Sequence, residues 1–221
     1  MSGAQPFRIK VLISGSGTNL QAIIDAVAQG AIAGQITEVI SNRPGVRGLE
    51  RAQAAGIRTT VLDHRRAPSR EEYDRELAGH IEATGADLIV LAGFMRILSD
   101  GFVEQFMGRL INIHPSLLPA YRGLHTHARA IAAGESEAGC SVHYVIPELD
   151  AGPVIAQAAV SIEAEETEAS LQAKVQAMEH QLYPQVVGWI AEGRVEMREG
   201  MVWMDDSPLS APPCLRAEDN A

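Results

Sequence analysis

Apolar, β-branched runs recur at residues 9–13, 36–40, 58–62, 88–91 and 110–113, and the stretches between them carry apolar positions at helical spacing. Strands alternating with helices predict βαβ units and a mainly parallel sheet. The punctuation agrees, because Gly30, Gly56, Gly85 and Gly134 each close an alanine-rich helical pattern where a left-handed cap is expected. Ser69-Arg70-Glu71-Glu72 predicts a helix start with acids in its first turn. Beyond Gly134 the pattern changes. "GCSVHYVI" and "GPVIAQAAVSI" are two strand-like runs separated by "PELDA", which predicts an antiparallel or mixed addition to the sheet. Leu171, Val175, Met178, Leu182, Val186 and Ile190 then form a helical stripe, and Pro184 within it predicts a kink over 180–184.

Composition narrows the class. A chain of 221 residues with 46% hydrophobic residues has enough apolar material for one sizeable core, so a single globular α/β domain over 1–206 is expected. Residues 207–221 are Pro-rich and polar and are expected to form a flexible tail. With 18 Lys+Arg against 28 Asp+Glu, the net charge of -10 gives no electrostatic footprint for nucleic acid or anionic lipid, which leaves a small-molecule partner. Two cysteines cannot build a disulfide framework, the N-terminus lacks a signal-peptide core, and no apolar run approaches the roughly 18 residues of a membrane span. A cytoplasmic location is expected, and composition leaves a homodimer open.

"VLISGSGTNLQAII" reads as a strand, a Gly-rich turn and a helix start. It lacks the third glycine of the dinucleotide fingerprint, because Leu20 stands there, and it lacks the Gly-Lys-Ser/Thr of a P-loop. What remains is a turn whose backbone N–H groups and helix N-terminus can hold one phosphate monoester, with Ser14, Ser16, Thr18 and Asn19 as further donors. A tight βα turn that binds nothing fits the same residues, since Gly and Ser suit turns.

"LINIHPSLLP" ends a strand-like run in an amide, an imidazole and a proline. Asn112 and His114 share one face of an extended chain, at the end of a strand where open parallel sheets place ligands. Pro115 holds His114 extended. Such a pair can donate to an oxyanion, and the imidazole can move a proton; a satisfied core histidine is the competing reading. Asp150, in "PELDAGPVI", is an ordinary turn acid unless the fold brings it to His114, where a carboxylate would orient the ring and favour its charged form. Met95-Arg96-Ile97-Leu98 follows another strand and is either a plain loop or a wall for a flat heterocycle. His125, His127, Cys140 and His143 could suggest a metal, but no second ligand pair of zinc spacing accompanies "HTHA", and Cys140 reads as a strand residue.

The stretches "VLISGSGTNLQAIIDA", "SNRPGVRGLERAQAAGI", "SREEYDREL", "VLAGFMRILS", "INIHPSLLPAYRGLHTHARAI", "SVHYV", "ELDAGPVI" and "VQAMEHQLYP" together resemble the glycinamide ribonucleotide formyltransferases, in that family's order and spacing from about Val11 to Trp203. The resemblance implies a Rossmann-like formyltransferase fold, with an N-terminal ribonucleotide part and a C-terminal folate part. It implies 10-formyltetrahydrofolate as donor, the amino group of glycinamide ribonucleotide as acceptor, and no metal. By motif, Gly15, Ser16, Gly17, Thr18 and Asn19 would hold the phosphate and Glu179 the ribose hydroxyls. Arg70, Met95, Arg96, Ile97, Leu98 and Asn112 would border the folate, and Asn112, His114 and Asp150 would form the catalytic trio. Two relatives share that trio, methionyl-tRNA formyltransferase and formyltetrahydrofolate deformylase. The first carries an RNA-binding domain, the second a regulatory domain and no Gly-Ser-Gly loop. A catalytically silent phosphate-binding module is the reading outside the enzymes.

Overall fold

The structure, a computed structural model, describes residues 6–216. Its elements in chain order are β1 (Phe7–Ile13), α1 (Thr18–Ala28), β2 (Gly34–Ser41), α2 (Arg47–Ala54), β3 (Thr59–Val61), a 3-10 turn at His64–Arg66 and α3 (Arg70–Thr84). There follow β4 (Leu88–Leu91), α4 (Asp100–Gln105), β5 (Leu110–His114), α5 (Thr126–Ala132), β6 (Glu137–Tyr144) and β7 (Val154–Ser161). The chain closes with α6 (Glu168–Ala191), β8 (Val195–Arg198), β9 (Met201–Met204), β10 (Ser207–Pro208) and β11 (Cys214–Arg216). All five apolar runs became strands. Ser69 caps α3 by accepting from the Glu72 N–H, and Glu71 and Glu72 occupy the first turn, as the sequence predicts.

The main sheet has the order β11-β7-β6-β5-β4-β1-β2-β3. Strands β1 to β5 are mutually parallel, whereas β6 joins β5 and β7 joins β6 antiparallel, which is the mixed addition expected after Gly134. Strand alternation divides the core between two faces. Val11 and Ile13 pack toward Leu20, Ile23, Val175 and Leu182 of α1 and α6, whereas Leu12 packs toward Tyr73, Leu77 and Phe102 of α3 and α4. Each fully buried branched side chain contributes about 1.5–3 kcal/mol. Both faces of the central strands are therefore covered, and the strand ends are where polar groups can meet.

Helix α6 runs as one element through Pro184, its apolar stripe docked along the sheet; the missing N–H at 184 costs one bond of a 24-residue helix that packing holds in place. The mobile tail is corrected over 207–216. Ser207 and Pro208 pair with β9, and Cys214, Leu215 and Arg216 pair in parallel with β7, where the Gln157 N–H also donates to the Pro213 carbonyl at 2.9 Å. An exposed edge of β7 offers unpaired backbone groups, and a segment of no marked hydrophobicity can satisfy them. Residues 217–221, the rest of the expected tail, lie outside the described residues.

Candidate active site

Strand order reverses around β1: β2 and β3 extend to one side, β4 and β5 to the other. A crevice opens at such a switch point, outside the carboxyl ends of the strands. The loops after β1 and β4 are joined across it. Ser14 N–H donates to the Gly93 carbonyl at 3.1 Å, and Met95 N–H donates to Ser14 Oγ at 2.8 Å. Strand β5 lies two strands from β1, about 10 Å at the usual interstrand spacing. Buried Tyr183 on α6 fixes that end of the sheet by directing its hydroxyl to the Leu91 and Ile111 carbonyls at 2.9 and 3.2 Å.

The Gly-Ser-Gly turn enters α1 with Gly17 at φ +69°, and α1 has neither a side-chain cap nor an acid in its first turn. Its first N–H groups are left to another acceptor, as an anion would be. A Cβ at Gly17 would lie 2.7 Å from Gly48 Cα, whereas one at Gly15 would meet nothing within 4 Å. Gly17 is thus required by the fold, and Gly15 faces open space. Asn19 donates to Glu179 Oε2 at 2.8 Å, so a residue of α6 arrives beside the first turn of α1. Asn19 Oδ1 is buried without a partner, and burial pushes the Glu179 carboxyl up, partly offset by the Asn19 amide. Two buried acceptors here suit hydroxyl donors.

The residues expected to border the folate divide by orientation. Met95 and Ile97 are exposed, 68% and 59%, an unusual state for large apolar side chains. Arg96 turns inward with its guanidinium 4.8 Å from the centre of the Tyr73 ring and its Nε buried without a partner, and Leu98 is buried with Phe102 and Leu77. Leu98 can therefore meet a ligand only through its main chain. Arg70 stands exposed at the start of α3, paired with Glu71.

Asn112 and His114 lie on one face of β5, opposite His143 and Ser141 of β6. Asp150 reaches them from the β6–β7 connection, where its φ is +50°. Two residues on, a Cβ at Gly152 would lie 1.7 Å from the Tyr144 carbonyl, so only glycine permits that turn. Asp150 Oδ2 lies 3.4 Å from His114 Nδ1 and accepts from the Gly123 N–H at 3.0 Å, with Oδ1 3.9 Å from His143 Nε2. His114 Nε2 lies 3.0 Å from the Tyr121 carbonyl. Both ring nitrogens thus face oxygen acceptors, which a doubly protonated imidazole satisfies completely. Spacing alone could not bring Asp150 to His114. The fold does.

Three contributors escaped sequence reasoning. The Tyr121 carbonyl and the Gly123 N–H are main-chain groups that leave no side-chain signature, and His143 was weighed only as a metal ligand. Period two along "SVHYV" marks His143 as sharing a strand face with Ser141, but its partner depends on register. Cys140 is a buried strand residue whose thiol is pushed up by burial, consistent with packing rather than nucleophilic chemistry. Among the described residues no three His, Cys, Asp or Glu side chains are grouped to hold a metal ion.

A formyl transferase profile matches residues 7–187. The chain belongs to the formyl transferase family. Phosphoribosylglycinamide formyltransferase of Escherichia coli strain K12 is 53% identical over 211 residues, covering 96% of this chain and 99% of that one. The trifunctional purine biosynthetic protein adenosine-3 of Homo sapiens is 42% identical over 192 residues, 87% of this chain and 19% of that larger protein. Among solved structures, the phosphoribosylglycinamide formyltransferase of Coxiella burnetii superposes with a TM-score of 0.91 at 50% identity, covering 96% of this chain and all of that one. This chain is a formyl-transferring enzyme with that family's mainly parallel sheet and added antiparallel strands. No helix of the described residues is long and apolar enough to cross a membrane.

Proposed function

We propose that this enzyme transfers the formyl group of 10-formyltetrahydrofolate to the amino group of glycinamide ribonucleotide, a step of purine synthesis in the cytoplasm. The observation that carries the reading is the convergence of Asn112, His114 and Asp150 at the C-terminal end of β5, on the same edge of the parallel sheet from which β1 leads into an uncapped helix start that suits one phosphate. Gly15 to Asn19 hold the phosphate, with Asn19 and Glu179 accepting from the ribose hydroxyls. The exposed Met95 and Ile97, the main chain at Leu98, Arg96 and the rim cation Arg70 border the folate.

The substrate amine attacks the formyl carbon directly. A C–N bond forms, the carbonyl oxygen becomes a tetrahedral oxyanion, and the Asn112 amide and protonated His114 donate to it. His114 Nε2 now donates to the Tyr121 carbonyl, so engaging the oxyanion shares or replaces that bond. The attacking amine loses a proton as the bond to the folate nitrogen breaks and that nitrogen gains one, and Asp150 with His114 relays it through water. Removing one oxyanion donor typically costs about 100- to 1000-fold in rate. The remaining acceleration comes from aligning two bound substrates.

The deciding experiment follows folate product spectroscopically with and without glycinamide ribonucleotide. Product only when the ribonucleotide is present supports the transferase. Product without it overturns the reading in favour of a deformylase, and none in either mixture leaves only a binding module.

A further inference from the structure

His143 is the buried titratable group of the site that the reaction scheme does not use. It lies directly across from Asn112 in the β5–β6 register. Its Nδ1 is 2.9 Å from the Tyr144 carbonyl, which can only accept, so Nδ1 carries a hydrogen. Its Nε2 is 3.2 Å from Asn112 Nδ2, which can only donate, so Nε2 presents a lone pair. These two contacts are consistent with one species, the neutral Nδ1–H tautomer. Turning the Asn112 amide over would bring Oδ1 to Nε2, and two lone pairs would face each other unless the ring gained a second proton.

We propose that His143 is a positioning residue for formyl transfer, accepting one N–H of the Asn112 amide so that the other N–H, rather than the amide oxygen, is offered to the developing oxyanion. The inference rests on the reading of Asn112 as an oxyanion donor. An asparagine free to turn over would present its oxygen part of the time, repelling the charge it should stabilise. The surroundings keep His143 in the required state. Burial, the largest influence, disfavours its charge, as does His114, while the Tyr144 carbonyl and the Asp150 carboxylate favour it; the balance lies below the ordinary histidine value. A ring held at both nitrogens on two adjacent strands also has a fixed plane, which fixes the direction of the amide it holds.

A double-mutant cycle tests this. His143→Leu should lower kcat about 10- to 100-fold with little change in the KM of either substrate, less than the loss of the donor itself. His143→Gln, whose carbonyl can accept the same N–H, should recover part of that loss. In an Asn112→Ala background His143→Leu should cost almost nothing more, because its effect passes through Asn112. An equal additional loss in that background overturns the proposal. Near-normal turnover of Asn112→Ala alone overturns the reading of Asn112, and the proposal with it. Should His143→Leu fail to fold, ring 15N shifts of the histidine-labelled wild-type enzyme near pH 7, assigned against His143→Gln, decide the matter. A protonated Nδ1 with an unprotonated Nε2 supports the assignment, and a protonated Nε2 refutes it.

Discussion

Replacing Asp150 by Asn changes charge while keeping shape, which makes it the sharpest probe of the reaction scheme. Asp150 Oδ2 accepts from the Gly123 N–H and faces His114 Nδ1, and an asparagine carbonyl in the same position can accept from both. The turn should therefore survive. What disappears is the attraction between the carboxylate and the imidazolium that the proposed scheme requires at His114, 3.4 Å away. Unit charges at that distance attract by about 5 kcal/mol at an effective dielectric of about 20 and about 1 kcal/mol in bulk water. Both side chains are under a tenth exposed, yet the site must admit substrates, so the effective value falls between these limits. At about 1.4 kcal/mol per tenfold change in rate, the loss centres on about 100-fold in kcat. The KM of glycinamide ribonucleotide should hold, because Asp150 contacts neither the Gly-Ser-Gly turn nor Glu179. Initial rates of folate product over a range of ribonucleotide concentrations provide the assay. A kcat within threefold of wild type would refute the role of Asp150, and an equally large rise in KM would assign it to binding instead.

Gly15→Ala should raise the ribonucleotide KM at least about tenfold while leaving the melting temperature unchanged, since a Cβ there meets no protein atom within 4 Å yet enters the anion cradle; an unchanged KM would place the phosphate elsewhere. Glu38 is buried against Lys10 Nζ at 2.6 Å and also accepts from Thr60 and His80. Burial raises its carboxyl, but those hydrogen bonds and the Lys10 charge outweigh burial and hold it at about 2, below the reference 4.5. A depressed folded-state value means that this stabilisation is present above about pH 4.5 and is lost as pH falls toward 2. Glu38→Gln should therefore cost about 3–5 kcal/mol at pH 7 by stranding a buried ammonium, with a flatter acid dependence; denaturant midpoints at pH 7 and pH 3 that match wild type would sink this. Deleting residues 210–221 strips β11 from β7 and removes the Leu215 side chain that packs against the core, which should cost about 1–2 kcal/mol and lower the melting temperature by about 2–8 °C; an unmoved melting curve would mean that the pairing contributes nothing.

Period alone determined most of the scaffold. Runs of β-branched residues buried on both faces, interrupted by helical stripes and glycine stops, could satisfy their backbone groups only as a parallel sheet between helices. The same rule placed Asn112 and His114 on one face at a strand end, because alternation is local. The Gly-Ser-Gly turn was equally legible, since its donors and the helix start lie within five residues. Tertiary structure decided everything that required two distant segments to meet. Asp150 stands 36 positions from His114, Glu179 lies 160 from Asn19, and no local pattern encodes either distance. Strand register alone set His143 opposite Asn112, turning a histidine of ambiguous purpose into the partner of an amide. The segment 207–216 misled for the opposite reason: its proline-rich composition lacks the apolar content of an ordinary strand. What ordered it was an open backbone edge on β7, a demand that exists only once the rest of the sheet has formed.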